Sequence, residues 1–180
     1  MKHFTSDHHF EHTNIIRLAE RPFETIDEMH ETMIRNWNAR VLKGDEVYVL
    51  GDFYFGKRPE RALELLRMLN GQKFLLKGNH DRKTDKWSEP FVWVRDYHEM
   101  TVLEPDGTKQ KIVMGHYPFL EWNKGHRGSW NLHGHCHRKV PLDPKYRRLD
   151  VGVDGHDYSP WSYDEVKAAM KSRDDIDYHH

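Results

Sequence analysis

Five times along this chain a short apolar run stops in a turn built of glycine, aspartate, asparagine and histidine. "KHFT" (2–5) leads into Ser6-Asp7-His8-His9 and "VYVL" (47–50) into Gly51-Asp52. "KFLL" (73–76) leads into Gly78-Asn79-His80-Asp81, and "KIVM" (111–114) into Gly115-His116. "WNL" (130–132) leads into His133-Gly134-His135-Cys136-His137. Short β-rich runs bounded by such turns read as strands. Sites in α/β sheets gather at the carboxyl ends of strands. Turns far apart in sequence are therefore expected to converge on one place.

The segments between these strands read mainly as helices. "TIDEMHETMIRNWNARV" (25–41) repeats Ile26, Met29, Met33 and Trp37 at helical spacing and opens with a Thr25/Glu28 capping box. These apolar residues are core candidates. "RPERALELLRMLNG" (58–71) has Pro59 near its start and Gly71 just past its end. "SYDEVKAAMKSR" (162–173) carries a second capping box, Ser162 and Glu165. "YHEMTVLEPDGTKQKIVM" (97–114) reads as a hairpin turning near Asp106-Gly107, and "RLDVGV" (148–153) as a further strand. There is no repeat or linker, so residues 1–180 are expected to form one domain. His179 and His180 are set aside as a possible tag remnant.

Composition narrows the function. A net charge of −1 argues against a broad basic surface that holds duplex DNA. A single cysteine, Cys136, allows no intramolecular disulfide. No apolar run approaches the roughly 18 residues of a membrane span, and "MKHFTSDHH" has no signal-peptide core. A cytoplasmic location without membrane partners is the expectation. The anomaly is 15 histidines.

The donors at the strand ends are Asp7, His9, Asp52, Asn79, His116, His135 and His137. They are too many for one four-coordinate zinc site. They suit two divalent ions roughly 3.5–4 Å apart that share a carboxylate. Imidazole mixed with carboxylate and amide favours manganese, iron or zinc over magnesium or calcium. Gly51, Gly78, Gly115 and Gly134 beside these donors allow close backbone approach.

Asp7-x-His9, Gly51-Asp52, Gly78-Asn79-His80-Asp81, Gly115-His116 and Gly134-His135-x-His137 resemble, in order, the five signature blocks of the calcineurin-like metallophosphoesterases. Each block alone is weak and five in order are specific. The start also resembles the small stand-alone branch of that family, with "SDHHFEHTNIIRL" followed by "RPF". The resemblance implies an α/β four-layer sandwich, two mixed β-sheets flanked by α-helices. It implies that Asp7, His9 and His137 hold the first metal, that Asn79, His116 and His135 hold the second, and that Asp52 bridges both. It further implies a metal-bridging hydroxide that attacks phosphorus and a His80 that protonates the leaving oxygen. No serine or cysteine nucleophile is then required. Manganese is the expected ion, with iron, zinc, nickel and cobalt as alternatives. Asp81 is expected to orient the His80 ring.

The substrate is read as a phosphate-ester small molecule or nucleotide. A diester is preferred, with phosphomonoester or nucleic acid as alternatives, because nothing after His137 resembles a cap domain. His12, Asn14, Arg17 and Arg127 are candidate phosphate contacts, with Arg138 a further source of positive charge. Cys136 reads as a packing residue, and His133 as structural or as a support behind the metal ligands. A structural zinc module built on "HGHCH" would call for paired cysteines. An inactive scaffold would be expected to have lost ligands, yet all seven positions are filled.

Overall fold

The computed structural model describes residues 1–81, 83–140 and 143–176; His179 and His180 lie outside them. The strands are β1 (Lys2–Thr5), β2 (Glu46–Val49), β3 (Gln72–Leu76), β4 (Phe91–Arg95), β5 (Tyr97–Leu103), β6 (Lys109–Gly115), β7 (Trp130–His133), β8 (Arg148–Asp150) and β9 (Trp161–Ser162). The helices are α1 (Asn14–Leu18), α2 (Ile26–Arg40), α3 (Pro59–Met68) and α4 (Tyr163–Met170). One sheet has the order β4-β3-β2-β1-β9, parallel except for β9. The other has the order β5-β6-β7-β8, in which only the β5–β6 hairpin is antiparallel. The fold is thus α/β, with two mixed sheets flanked by helices.

Strand periodicity assigns side chains to the two faces. On β2, Val47 and Val49 face a core shared with Met29, Met33 and Trp37 of α2 and Leu65 and Leu66 of α3. Tyr48 and Leu50 face the opposite way, into a core between the sheets with Phe4, Leu76, Ile112, Met114 and Leu132. Burial on both faces explains why neighbouring residues are apolar in Val47-Tyr48-Val49 of β2 and Phe74-Leu75-Leu76 of β3. α4 adds Val166 and Met170 to the inter-sheet core.

Two helix starts compare instructively. At α4, Ser162 accepts from the Glu165 N–H and the Glu165 carboxylate accepts from the Ser162 N–H, closing the expected capping box. At α2, Thr25 accepts from the Glu28 N–H, but the Glu28 carboxylate reaches the Glu24 N–H at 2.8 Å. That box is therefore half formed, because the returning carboxylate overshoots by one residue. Strands β4 and β9 extend the first sheet beyond what the sequence reading identified. Among the described residues, no helix is long and apolar enough to cross a membrane.

Candidate dinuclear metal centre

Backbone bonds stitch the polar turns together. The Asp7 N–H donates to the Gly51 carbonyl at 3.0 Å, and the His9 N–H to the Asp52 carbonyl at 2.9 Å. The Gly134 N–H donates to the His116 carbonyl at 2.9 Å, and the His135 N–H to Asp7 Oδ2 at 2.9 Å. Asp7, His9, Asp52, His135 and His137 all have positive φ, between 45° and 71°. Non-glycine residues rarely adopt this region, and strain of this kind clusters where function requires a side chain to be aimed. Glycines make room nearby. A Cβ at Gly134 would lie 2.5 Å from Asp7 Oδ2, and one at Gly78 would lie 2.1 Å from Asp52 Oδ1.

Two clusters result. Ligand atoms of Asp7, His9 and His137 lie within 4.8 Å of one another, and so do those of Asp52, His116 and His135. Asn79 joins the second through its Oδ1, 3.0 Å from His116 Nε2. Asp52 Oδ2 stands 3.5 Å from His9 Nε2 and 3.5 Å from His116 Nε2, between the clusters. The donor set fits a pair of divalent ions. Asp7 Oδ1 and His9 Nε2 are buried without any hydrogen-bond partner, as acceptors reserved for cations would be.

Imidazole tautomers are set from behind. His116 Nδ1 faces the Leu50 carbonyl at 2.8 Å, so Nε2 is left for the cluster. His137 Nδ1 lies 2.7 Å from Asp154 Oδ2. Asp154 in turn receives the Arg21 guanidinium at 2.7 and 3.1 Å. Buried Arg21 also donates to the carbonyls of Asp7 and His8 at 2.7 and 3.0 Å. The sequence reading missed Asp154 and quoted Arg21 only within "RPF".

Charge within the centre is finely opposed. Burial drives the His9 imidazole down to about 2, so it stays neutral. Burial raises the Asp7 carboxyl to about 7. Burial would raise Asp52 too, but hydrogen bonding and charge from His116 and the His80 N–H hold it at about 2. Burial opposes charge on His116, yet its bond to Asp52 and the nearby carboxylates lift it to about 9. The metal-free centre thus keeps an Asp52–His116 ion pair. The raised His116 stabilises the folded state fully below pH 6.5 and loses that contribution as pH rises through about 9. Asp7, also raised, acts with the same sign up to about pH 7. Chelated protein should therefore lose thermal stability between pH 6.5 and 9, while the stabilisation by added manganese grows over that interval as ligand protons are shed. Differential scanning calorimetry with and without metal checks this, and rising stability of the chelated protein would contradict it.

His80 stands at the mouth of the centre. Its Nε2 is 4.0 Å from Asp52 Oδ2, and its backbone N–H donates to Asp52 Oδ1 at 2.8 Å. Its ring meets those of His9 and Phe55, with centroids 5.4 and 5.1 Å apart. Asp81 does something other than orient His80. Its carboxylate points inward and accepts from the N–H groups of Asp52, Gly78 and Phe53 at 2.7, 2.9 and 2.9 Å. It braces the two turns that carry Asp52 and Asn79, and burial raises it to about 6.

His12 lines the cleft with its ring stacked on Phe55 at 4.0 Å. Helix α1 presents Ile15, Leu18 and Ala19 to the cleft; exposed Asn14 and Arg17 are not among its lining residues. Arg127 is likewise exposed and outside the lining, with its Nε donating to His126. Arg138 lines a separate cavity behind the loop, while Lys139 reaches the cleft.

Known proteins place this geometry in context. The family model for calcineurin-like phosphoesterases matches residues 3–178. An uncharacterised protein of Methanocaldococcus jannaschii is 35% identical over 167 residues, covering 89% of this chain and 86% of its own. The gene 66 protein of Mycobacterium phage D29 is 30% identical over 192 residues, covering 91% and 92%. A crystal structure of an Aquifex aeolicus protein of unknown function shares the fold, with a TM-score of 0.70 at 24% identity over 93% of this chain and 98% of that one. With five turns closing on two ligand clusters and a family model spanning nearly every residue, the chain belongs to the calcineurin-like phosphoesterases, a family of metal-dependent phosphoester hydrolases.

Proposed function

We propose that this protein is a phosphodiesterase with a dinuclear manganese centre in which His80 protonates the leaving oxygen. The observation that carries the reading is the position of Asp52 Oδ2, 3.5 Å from an imidazole of each cluster and 4.0 Å from His80 Nε2. Asp7, His9 and His137 would hold one ion, Asn79, His116 and His135 the other, and Asp52 both. When bound, the ions supply an activated water and positive charge against the phosphoryl oxygens. The chain's own residues do the rest. His80 is tied to Asp52 through its backbone, which fixes its place beside the shared carboxylate. Its half-exposed side chain can take a proton from solvent and deliver it from Nε2 to a departing alkoxide. Phe55 and His12 form a stacked wall that limits where the ring can turn.

The diester preference rests on the shape and charge of the surroundings. Two hollows meet at His80 and Phe55. One is bounded by His12, Ile15, Leu18 and Lys139, the other by Tyr54, Lys57, Lys83 and Trp87. Each can seat one ester arm. Lys139, the cation of the first hollow, already donates to the Leu18 carbonyl and pairs with Glu20. The arginines that would favour a dianion, Arg17, Arg127 and Arg138, stand outside this cleft. The expected outcome is a higher kcat/KM for bis(p-nitrophenyl) phosphate or a cyclic nucleotide than for p-nitrophenyl phosphate, measured with manganese. A monoester preference across several leaving groups would reverse the substrate assignment and make Lys57 and Lys83 the first positions to mutate.

A further inference from the structure

His133 ends β7, Asp150 ends β8, and the two are register partners across that parallel pair. Cys136 follows His133 by three residues. A ring nitrogen of His133, Sγ of Cys136 and a carboxylate oxygen of Asp150 lie within 4.8 Å of one another. None of the three belongs to the dinuclear centre.

Their hydrogen bonding leaves one buried acceptor on His133 and one on Asp150 without a partner. His133 is fully buried. Its Nδ1 faces the Gly134 carbonyl at 2.9 Å, so Nδ1 carries the proton and Nε2 presents a lone pair. Buried Nε2 has no partner. Asp150 Oδ1 accepts from the Gly152 N–H at 2.8 Å, whereas buried Oδ2 has no partner. Buried polar groups in native proteins are nearly always satisfied. The Cys136 thiol has one proton and can serve one of the two acceptors, never both. A cation serves both at once.

We propose that His133, Cys136 and Asp150 form a third, mononuclear metal site that takes a thiophilic divalent ion of the zinc type. One nitrogen, one sulfur and one oxygen donor with a fourth position left to solvent is a normal zinc environment. The Nδ1–H to carbonyl bond behind His133 is the support that metal-bound imidazoles usually have. Binding forms a sulfur–metal bond as the thiol proton passes to water. The thiolate and carboxylate then balance the two positive charges of the ion. The open position faces a cavity of about 530 Å³ lined also by Arg138, Arg148 and Arg173. Positive charge there favours a water or small anion as the fourth ligand.

The sulfur donor separates this site from the centre in the cleft. Thiolate selects zinc over manganese, while the sulfur-free clusters accept either ion. Position gives the ion a task. Cys136 lies between His135 and His137, which belong to different clusters. An ion on Cys136 fastens their loop to β7 and β8 and fixes the spacing of the two catalytic ions.

The test is elemental analysis and cobalt spectroscopy on the full chain. Protein saturated with zinc and freed of excess metal should retain one more zinc per chain than Cys136→Ala and Asp150→Asn do. Cobalt-substituted wild-type protein should show thiolate-to-cobalt charge-transfer absorption in the near ultraviolet, absent from Cys136→Ser. The wild-type spectrum decides the matter even if a variant fails to fold. No charge-transfer band in wild-type protein, or zinc retention unchanged in folded variants, overturns the proposal.

Discussion

Asp52→Asn should lose both ions and nearly all activity. The substitution keeps the shape of the side chain and an oxygen able to accept from the His80 N–H. It removes the negative charge that stands 3.5 Å from imidazoles of both clusters. It also releases His116 from the ion pair that holds it near pKa 9, so that ring becomes a neutral neighbour. The expected fall in kcat/KM is on the order of 10⁴-fold, about 5.4 kcal/mol of transition-state stabilisation. Elemental analysis at metal concentrations that saturate the wild type should find both sites depleted, while circular dichroism remains native. Two tightly held ions in the variant would show that Asp52 is not the shared ligand.

His80→Ala should separate proton transfer from metal binding. The ring stands 4.0 Å from the shared carboxylate, beyond the two ligand clusters and half exposed at the cleft. Both ions should remain while kcat falls by on the order of 10²–10⁴-fold for alkoxide leaving groups. The loss should shrink with p-nitrophenolate, which departs without much protonation. The backbone bond from residue 80 to Asp52 does not involve the side chain, so Asp52 should keep its place. An emptied metal site in this variant would make His80 a ligand and leave the acid unidentified.

The residues that meet at the centre were legible because of where they sit in the chain. β1, β2, β3, β6 and β7 all run towards the same end of their sheets, and each is followed by its polar turn. A linear reading of short β runs followed by Asp, Asn and His was therefore also a reading of space. Helices α2 and α3 were legible for a similar reason, since one apolar face repeats along each. What escaped depended on tertiary contact. Arg21 and Asp154 are 133 residues apart, and nothing local marks either as the support behind His137. Asp81 neighbours His80 in sequence, but the turn sends its carboxylate inward to three backbone N–H groups. In α1 the buried face falls on Ile15, which turns Asn14 and Arg17 away from the cleft. Strand β9 has two residues, too few to carry a period, although "FVWVR" of β4 carried a strand signal in plain sight after Pro90.

The central claim is that two ions, held by seven side chains across five turns, run phosphoester hydrolysis in this protein. Titration of metal-depleted protein with manganese tests it most directly, with bound ions counted by elemental analysis and hydrolysis of bis(p-nitrophenyl) phosphate measured on the same samples. The account predicts negligible turnover without metal and activity that saturates at two manganese ions per chain. Full activity in exhaustively depleted protein, or saturation at a single ion, would contradict it.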